Sequence, residues 1–484
     1  MSTTRLRPCG TTGHARAHGW VLVLLALAQL IYALDLNLVF VALPRIGADL
    51  GFPGQTQQLV VSAYVVFAGG FLLLGGRAVD LLGRRRMFVL ALTLYGLASL
   101  ACGLATSPVT LIAARAVQGI GGALLMPSTL ALINTLFPEG PQRNRALSVW
   151  GGAGAGGLTL GALLGGVLTE NFGWSAVFFV NVPLAVAVAL GALAIMPAGA
   201  RPTGRRAFDL PGALTVTAGV TVLVFALVEA PELGWTHPLL LLGFATAATL
   251  LAAFAVIERR SADPLMPLRL FANRHLSVGT IVTFLFMGTF GVLPYFLTML
   301  WQNVHGYSAL RTGLAFLVPS LAIATGTMAG EQLTARLGNR TALLTGFGLG
   351  VFGTVALAAA FGTHTSYALL VPGMIVSGVG QGIVWITMWI TASTGAAAHE
   401  QGVTNGIAAT TLNLGNAIGL ALFTMIADLL GGHPTIPTAD GPRAVVFLAA
   451  IGMLAGLLAT LPLARQHHSP SKHRCADPEP MAVQ

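Results

Sequence analysis

The chain has 484 residues, of which 55% are hydrophobic and only 8% charged, against roughly 25% charged in ordinary soluble proteins; a soluble domain is excluded. Disorder is excluded too, because disordered chains are poor in apolar residues and dense in charge. The net charge of +9 comes with 24 arginines and one lysine, Lys472, so the lysine that a Walker A loop requires is missing.

Continuous apolar runs of about 20 residues, enough to cross ~30 Å of hydrocarbon, predict an all-α polytopic membrane protein. A transmembrane barrel would instead show short alternating segments. In chain order the first predicted spans are 20–41, 57–76, 87–105, 109–134, 147–169 and 176–196. After an arginine-rich loop, 197–209, come 210–229 and 237–257. After a second loop, 258–275, come 276–299, 310–330, 341–361, 367–395, 403–430 and 444–464, which makes 14 spans. The predicted organisation is a tail (1–19), a six-helix bundle (20–196), a linker carrying two inserted spans (197–275), a second six-helix bundle (276–464) and a tail (465–484).

Orientation follows from basic residues, which stay on the cytoplasmic side. With a cytoplasmic N-terminus, 21 Lys and Arg fall in cytoplasmic segments, and the opposite loops hold only Arg45 and Arg443. Both termini are therefore expected in the cytoplasm, and the basic charge reads as topogenic rather than as a nucleic-acid surface. Cys9, Cys102 and Cys475 are too scattered for a disulfide framework or a Cys-x-x-Cys metal site. The N-terminal run is too long for a signal h-region.

The loop after span 2 reads Gly76, Arg77, Ala78, Val79, Asp80, Leu81, Leu82, Gly83, Arg84, Arg85, Arg86. Gly83 permits a tight turn between helices, Asp80 can sit near helix N-termini, and the arginines bias the loop inward. A degraded echo runs from Gly330 to Arg340, with Gly338 on Gly83, Arg340 on Arg85 and Ala335 on Asp80. Span 1 ends Leu34, Asp35, Leu36, Asn37, Leu38, Val39, Phe40, Val41, Ala42, Leu43, Pro44, and span 4 carries Arg115, Ala116, Val117, Gln118, Gly119, Ile120, Gly121, Gly122. Phe172, Gly173 and Trp174 lead to Asn181, Val182 and Pro183; Asp209, Gly212, Trp235 and the stretch from Gln302 to Ser308 follow.

Over residues 20–465 this combination resembles the major facilitator superfamily, and within it the fourteen-span drug:proton antiporters. The resemblance implies two repeated bundles and export of drug-like or antibiotic-like small molecules across a bacterial cytoplasmic membrane, driven by protons. One departure concerns span 5: where those antiporters have Gly-Pro steps, Gly157 precedes Leu158 and Gly161 precedes Ala162. Gly157, Gly161 and Gly165 still share one face and permit close helix approach. The missing prolines favour the alternative of a facilitator or a proton-coupled importer.

Ionisable groups are expensive inside a span, about 2.5–3.5 kcal/mol on insertion scales. In the first half only Asp35 and Arg115 lie deep, each 6 residues from an outer span end, or about 9 Å at ~1.5 Å per residue. They can pair or share a network with Gln118 and Tyr32. Burial favours a neutral acid and a nearby arginine favours the carboxylate; a balance that changes as the site opens to either side suits proton coupling. Glu229, Glu232, Glu258 and Asp428 fall near span ends and are expected to be solvated, with Glu229 a second proton candidate.

Cavity candidates are Tyr32, Gln118, Asn181, Tyr295, Gln381, Trp385 and Asn413, with Trp389 and Asn405 beside them; such a lining suits bulky, partly apolar substrates. Trp235 and Trp301 are expected as interface anchors. Spans 7 and 8 look like the inserted central pair of the fourteen-span group and are expected to be peripheral to transport. A membrane enzyme is disfavoured, since there is no Gly-x-Ser-x-Gly elbow and His399-Glu400 opens no zinc motif. The expected partners are a small-molecule substrate, protons and the lipid bilayer, with no nucleic acid, cofactor or metal, for a monomeric protein.

Overall fold

A computed structural model describes residues 11–52, 59–196, 209–261, 266, 268–307, 309–362, 366–397, 400–431 and 440–463, and among them there is no β-strand. The first half comprises α1 (Thr11–Leu50), α2 (Leu59–Gly70), α3 (Leu72–Leu82), α4 (Arg84–Gly103), α5 (Pro108–Leu136), α6 (Pro141–Phe172), α7 (Ala176–Phe179) and α8 (Asn181–Ile195). The inserted pair is α9 (Leu210–Leu233) and α10 (Pro238–Arg260). The second half comprises α11 (Arg274–Thr289), α12 (Leu293–Met299), α13 (Ala309–Ala315), α14 (Leu317–Ala360), α15 (Tyr367–Ser393), α16 (Gln401–Gly431) and α17 (Asp440–Thr460).

Helix ends follow local chemistry. Ser107 and Thr110 form a reciprocal capping box at the start of α5, with Pro108 in the first turn. Asp209 accepts the Gly212 amide at 3.0 Å to open α9, and Asn273 accepts that of His275 at 2.9 Å to open α11. Gly83 turns α3 into α4 at φ 96°, ψ 133°. Its echo Gly338 breaks α14 at φ 82°, ψ 166°, so the two related loops use the same left-handed turn residue.

Among the described residues, 10 helices are long and apolar enough to cross a membrane, or 11 if α2 and α3, bent by 49° at Phe71, form one span. Within that tally Arg311–Ala360 is one continuous stretch although Gly338 divides it, and α9 contributes a shorter apolar helix, Pro211–Leu227.

The helices before α9 pack mainly on one another, as do those from α11 onward, and α3, α5 and α6 meet α14, α15 and α16 across the seam. Helix α10 packs mainly on α9, but α9 lies against α2, α3 and α16. A Cβ on Gly69 would contact Val224 and Asn413, at 3.6 and 3.7 Å, and one on Gly70 would strike Thr221. Span 7 therefore sits at the seam between the halves. The segments 1–10, 197–208 and 464–484 lie outside the described residues.

Candidate functional site: a buried carboxylate–guanidinium centre

Helix α6 presents Gly157, Gly161 and Gly165 to α1. A Cβ on Gly157 would stand 2.7 Å from the Leu30 carbonyl oxygen, one on Gly161 would strike that of Leu34, and one on Gly165 would stand 3.2 Å from that of Leu38. The glycines thus permit backbone-to-backbone contact along the stretch that carries Asp35. That contact positions Asp35 against α5 and α8.

There Arg115 Nη1 donates to Asp35 Oδ2 at 2.6 Å, with side chains 1% and 0% exposed. Gln118 and Asn181 each donate an amide hydrogen to Asp35 Oδ1, both at 2.9 Å. Arg115 Nη1 also donates to Gln118 Oε1 at 2.7 Å, and its Nε to the Val60 carbonyl at 3.0 Å. Gln118 Nε2 further donates to Ser99 Oγ at 2.9 Å. The guanidinium carbon lies 4.4 Å from the Tyr64 ring centroid and 5.9 Å from that of Phe178. Helices α1, α2, α4, α5 and α8 thus meet in one closed polar core.

This arrangement satisfies both carboxylate oxygens and sets the arginine fork against aromatic rings. Such a pair is held by geometry rather than by net attraction, since desolvation offsets most of the Coulombic gain. Removing one partner leaves a buried uncompensated charge, at a cost of about 3–5 kcal/mol. Cys102 places Sγ 3.7 Å from Gln118 Oε1 within this core.

A second feature crosses the seam. Trp150 of α6 stacks on Trp385 of α15, with ring centroids 6.3 Å apart and planes within 2°. Trp389 meets both edge-on, at 5.7 and 5.9 Å, and Phe286 of α11 lies 5.8 Å from Trp385. Trp150 Nε1 donates to Thr129 Oγ1 at 3.2 Å. A Cβ at Gly151 would stand 2.8 Å from Trp385 Nε1, so that glycine makes room for the indole.

The third feature lies at the arginine-rich end. Asp80 accepts the amide hydrogens of Gly402 and Val403 at 3.0 and 2.9 Å and so caps the first turn of α16, where a carboxylate meets the positive end of the helix dipole. Gly76 and Gly402 are in backbone contact, since a Cβ on either would strike the other's carbonyl oxygen. Asn134 Nδ2 donates to Gln401 Oε1 at 3.0 Å beside them. Gly83 makes the turn, Arg84 opens α4, and Arg85 Nη2 donates to the Leu193 carbonyl at 2.6 Å.

The sequence candidates thus separate. Asp35, Arg115, Gln118 and Asn181 come together. Tyr32 lies near them, its ring 6.4 Å from that of Tyr64. Trp385 joins the aromatic cluster, with half-buried Gln381 about one turn away on the same helix. Asn413 donates to the Ala409 carbonyl at 2.9 Å within α16, and its Cβ faces Gly69. Tyr295 is 44% exposed and packs edge-on against Phe296.

Two expectations are corrected. Trp301 is fully buried between Phe316 and Tyr367 rather than anchored at an interface. Glu258 is buried rather than solvated, accepting the Met266 amide at 2.5 Å. Glu229 is half-buried. The side chains of Glu232, Gln302, Asn303 and Asp428, and residues His399 and Ser308, lie outside the described residues. Sequence reasoning passed over Tyr64, Ser99, Tyr95 and Trp150; the helical spacing of Tyr95, Ser99 and Cys102 on one apolar span was the available signal.

The fold has counterparts in known proteins. The chain is 38% identical over 460 residues to the puromycin resistance protein pur8 of Streptomyces alboniger, covering 91% of this chain and 90% of that protein. It is 35% identical over 462 residues to the cephamycin export protein CmcT of Amycolatopsis lactamdurans, covering 93% and 95%. The solved proton:xylose symporter XylE superposes with a TM-score of 0.67 at 14% identity, over 92% of this chain and 95% of that one, which speaks to the fold. The profile of the Major Facilitator Superfamily matches residues 25–420, and the chain belongs to that superfamily.

Proposed function

We propose that the protein is a proton-coupled antiporter that exports drug-like or antibiotic-like small molecules across a bacterial cytoplasmic membrane by alternating access. The observation that carries this reading is the fully buried Asp35–Arg115 pair, an ionisable group retained where it is most costly. The relatives are described as a puromycin resistance protein and a cephamycin export protein, which supports export of antibiotic-like compounds. In this reading Asp35 binds the transported proton, and Arg115, Gln118 and Asn181 stabilise the carboxylate after release. Trp385, Gln381, Tyr32, Tyr295 and Asn413 line or flank the substrate path. The Asp80 loop latches the closed cytoplasmic side.

The topology in this reading has 14 crossings and both termini in the cytoplasm. Bundles at 20–196 and 276–464 are joined by the linker 197–275, and the protein works as a monomer without covalent catalysis. A susceptibility panel in a strain lacking its own efflux pumps tests the reading. Raised resistance that vanishes with Asp35→Asn is expected. Unchanged susceptibility to every antibiotic class, with the protein present in the membrane, would overturn it.

A further inference from the structure

Two phenols border the Asp35 centre without a hydrogen bond to it. Tyr64 and Tyr95 are 1% and 0% exposed, and among the described residues neither hydroxyl has a hydrogen-bond partner. Buried hydroxyls are normally satisfied, so each orphan calls for an explanation. The Tyr64 ring is pinned beneath the Arg115 guanidinium at 4.4 Å, which fixes where its hydroxyl points. A Cβ on Gly122 would stand 3.0 Å from Tyr64 Oη and 2.9 Å from Tyr32 Cε2. Glycine there keeps the hydroxyl's surroundings open. Tyr64 adjoins both Tyr95 and Tyr32, its ring centroid 6.4 Å from that of Tyr32. Tyr32, unlike the other two, is only half-buried.

The group thus comprises a sealed carboxylate, two sealed phenols and one half-buried phenol. Cys102 and Arg115 are the other titratable groups of this core; the thiol faces Gln118 and the guanidinium is saturated by Asp35, Gln118 and Val60. Neither offers an oxygen that can both accept and donate. A phenol does both, and a buried water satisfied by two such hydroxyls would complete the line.

We propose that Tyr95, Tyr64 and Tyr32, with intervening water, form the conduit through which Asp35 exchanges its proton. In one passage the Asp35 O–H bond breaks as a water O–H bond forms. That water hands one of its own protons to a phenol oxygen, and the phenol releases its original proton to the next acceptor. Each bond broken is matched by one made, and nothing is oxidised or reduced. The inference rests on the reading of Asp35 as the proton site.

The test uses the full chain in nanodiscs and needs no substrate. After a rapid drop in pH, time-resolved infrared spectroscopy follows the carbonyl band of protonated Asp35, identified as the band lost in Asp35→Asn. Tyr64→Phe and Tyr95→Phe keep the rings, including the stack on Arg115. Each is expected to slow the appearance of the band by roughly tenfold or more while leaving its final amplitude unchanged. A merely structural role would move the amplitude or midpoint instead. Wild-type kinetics in both variants would overturn the conduit and leave Asp35 as the proton site. Failure of Asp35→Asn to remove any band would overturn the Asp35 reading, and the conduit with it.

Discussion

Asp80 and Gly402 lie 322 residues apart, yet the carboxylate of the first accepts the amide hydrogen of the second at 3.0 Å. One side chain of the first half thereby caps a helix of the second half, at the end where Gly76 and Gly402 are in backbone contact. Opening that end must break these contacts, so they bias the balance between the two access states.

Asp80→Asn keeps an acceptor but removes the charge facing the α16 dipole, worth about 0.3–2 kcal/mol. The closed-to-open ratio at that end should fall between about twofold and about thirtyfold. Distance measurements between spin labels on α3 and α16 would read the shift. Substrate affinity in detergent should stay near wild type, and a loss of binding would count against the latch.

Asp35→Asn should abolish proton-linked export and also lower the thermal unfolding temperature, because Arg115 loses its counter-charge at a cost of about 3–5 kcal/mol. Adding Arg115→Gln should restore much of the stability and none of the coupling. Arg115→Lys should impair transport as well, since an ammonium cannot hold Asp35, Gln118 and the Val60 carbonyl together as the planar fork does. Differential scanning fluorimetry beside proton release from everted vesicles separates the two effects. A double variant that couples normally would remove Asp35 from the mechanism.

Gly161→Ala places a methyl group into the Leu34 carbonyl oxygen and should force α1 and α6 apart, destabilising by about 1–3 kcal/mol. Gly152→Ala, whose Cβ would meet nothing within 4 Å, should be neutral or stabilising by up to about 1 kcal/mol. Thermal unfolding of the two variants side by side checks the contrast. Equal effects would mean that α6 does not depend on backbone contact with α1.

Trp385→Ala should weaken export of compounds with planar aromatic rings more than that of aliphatic ones, because it removes a face worth about 0.5–1.5 kcal/mol beyond its buried area. A difference of several-fold in KM between the two classes is expected. Tyr295→Ala, on an exposed side chain, should show a smaller difference, and equal losses for both classes would indicate that Trp385 serves the seam rather than the substrate.

The buried core holds one carboxylate and one arginine in direct contact, so it offers little net charge to recruit a dication. Neutral or singly charged amphipathic compounds should be exported best. With one proton exchanged for one monovalent cation, only the pH gradient drives the cycle, whereas a neutral substrate also draws on the membrane potential, about 2.3 kcal/mol per charge per 100 mV. Collapsing the potential with valinomycin and potassium at constant pH gradient should slow neutral compounds more than monovalent cations. Preferred export of dications would point to a second carboxylate, with half-buried Glu229 first to test.

The helical architecture was legible in the sequence because run length and charge avoidance are local properties: a run of about 20 apolar residues has few alternatives in a bilayer. Asp35 and Arg115 stood out for the same reason, as deep charges are rare enough to be conspicuous. Gly83 and Gly338 announced their turns through residue type alone. Tertiary structure decided what ordinary residues do. Tyr64, Tyr95, Ser99 and Trp150 are unremarkable members of apolar helices until the rotation of each helix turns them toward Asp35 or Trp385. The position of α9 at the seam and the burial of Trp301 and Glu258 were likewise set by which helices touch. Hydropathy measures how readily a segment enters the bilayer and is blind to the direction in which each face points, whereas packing between helices sets that direction.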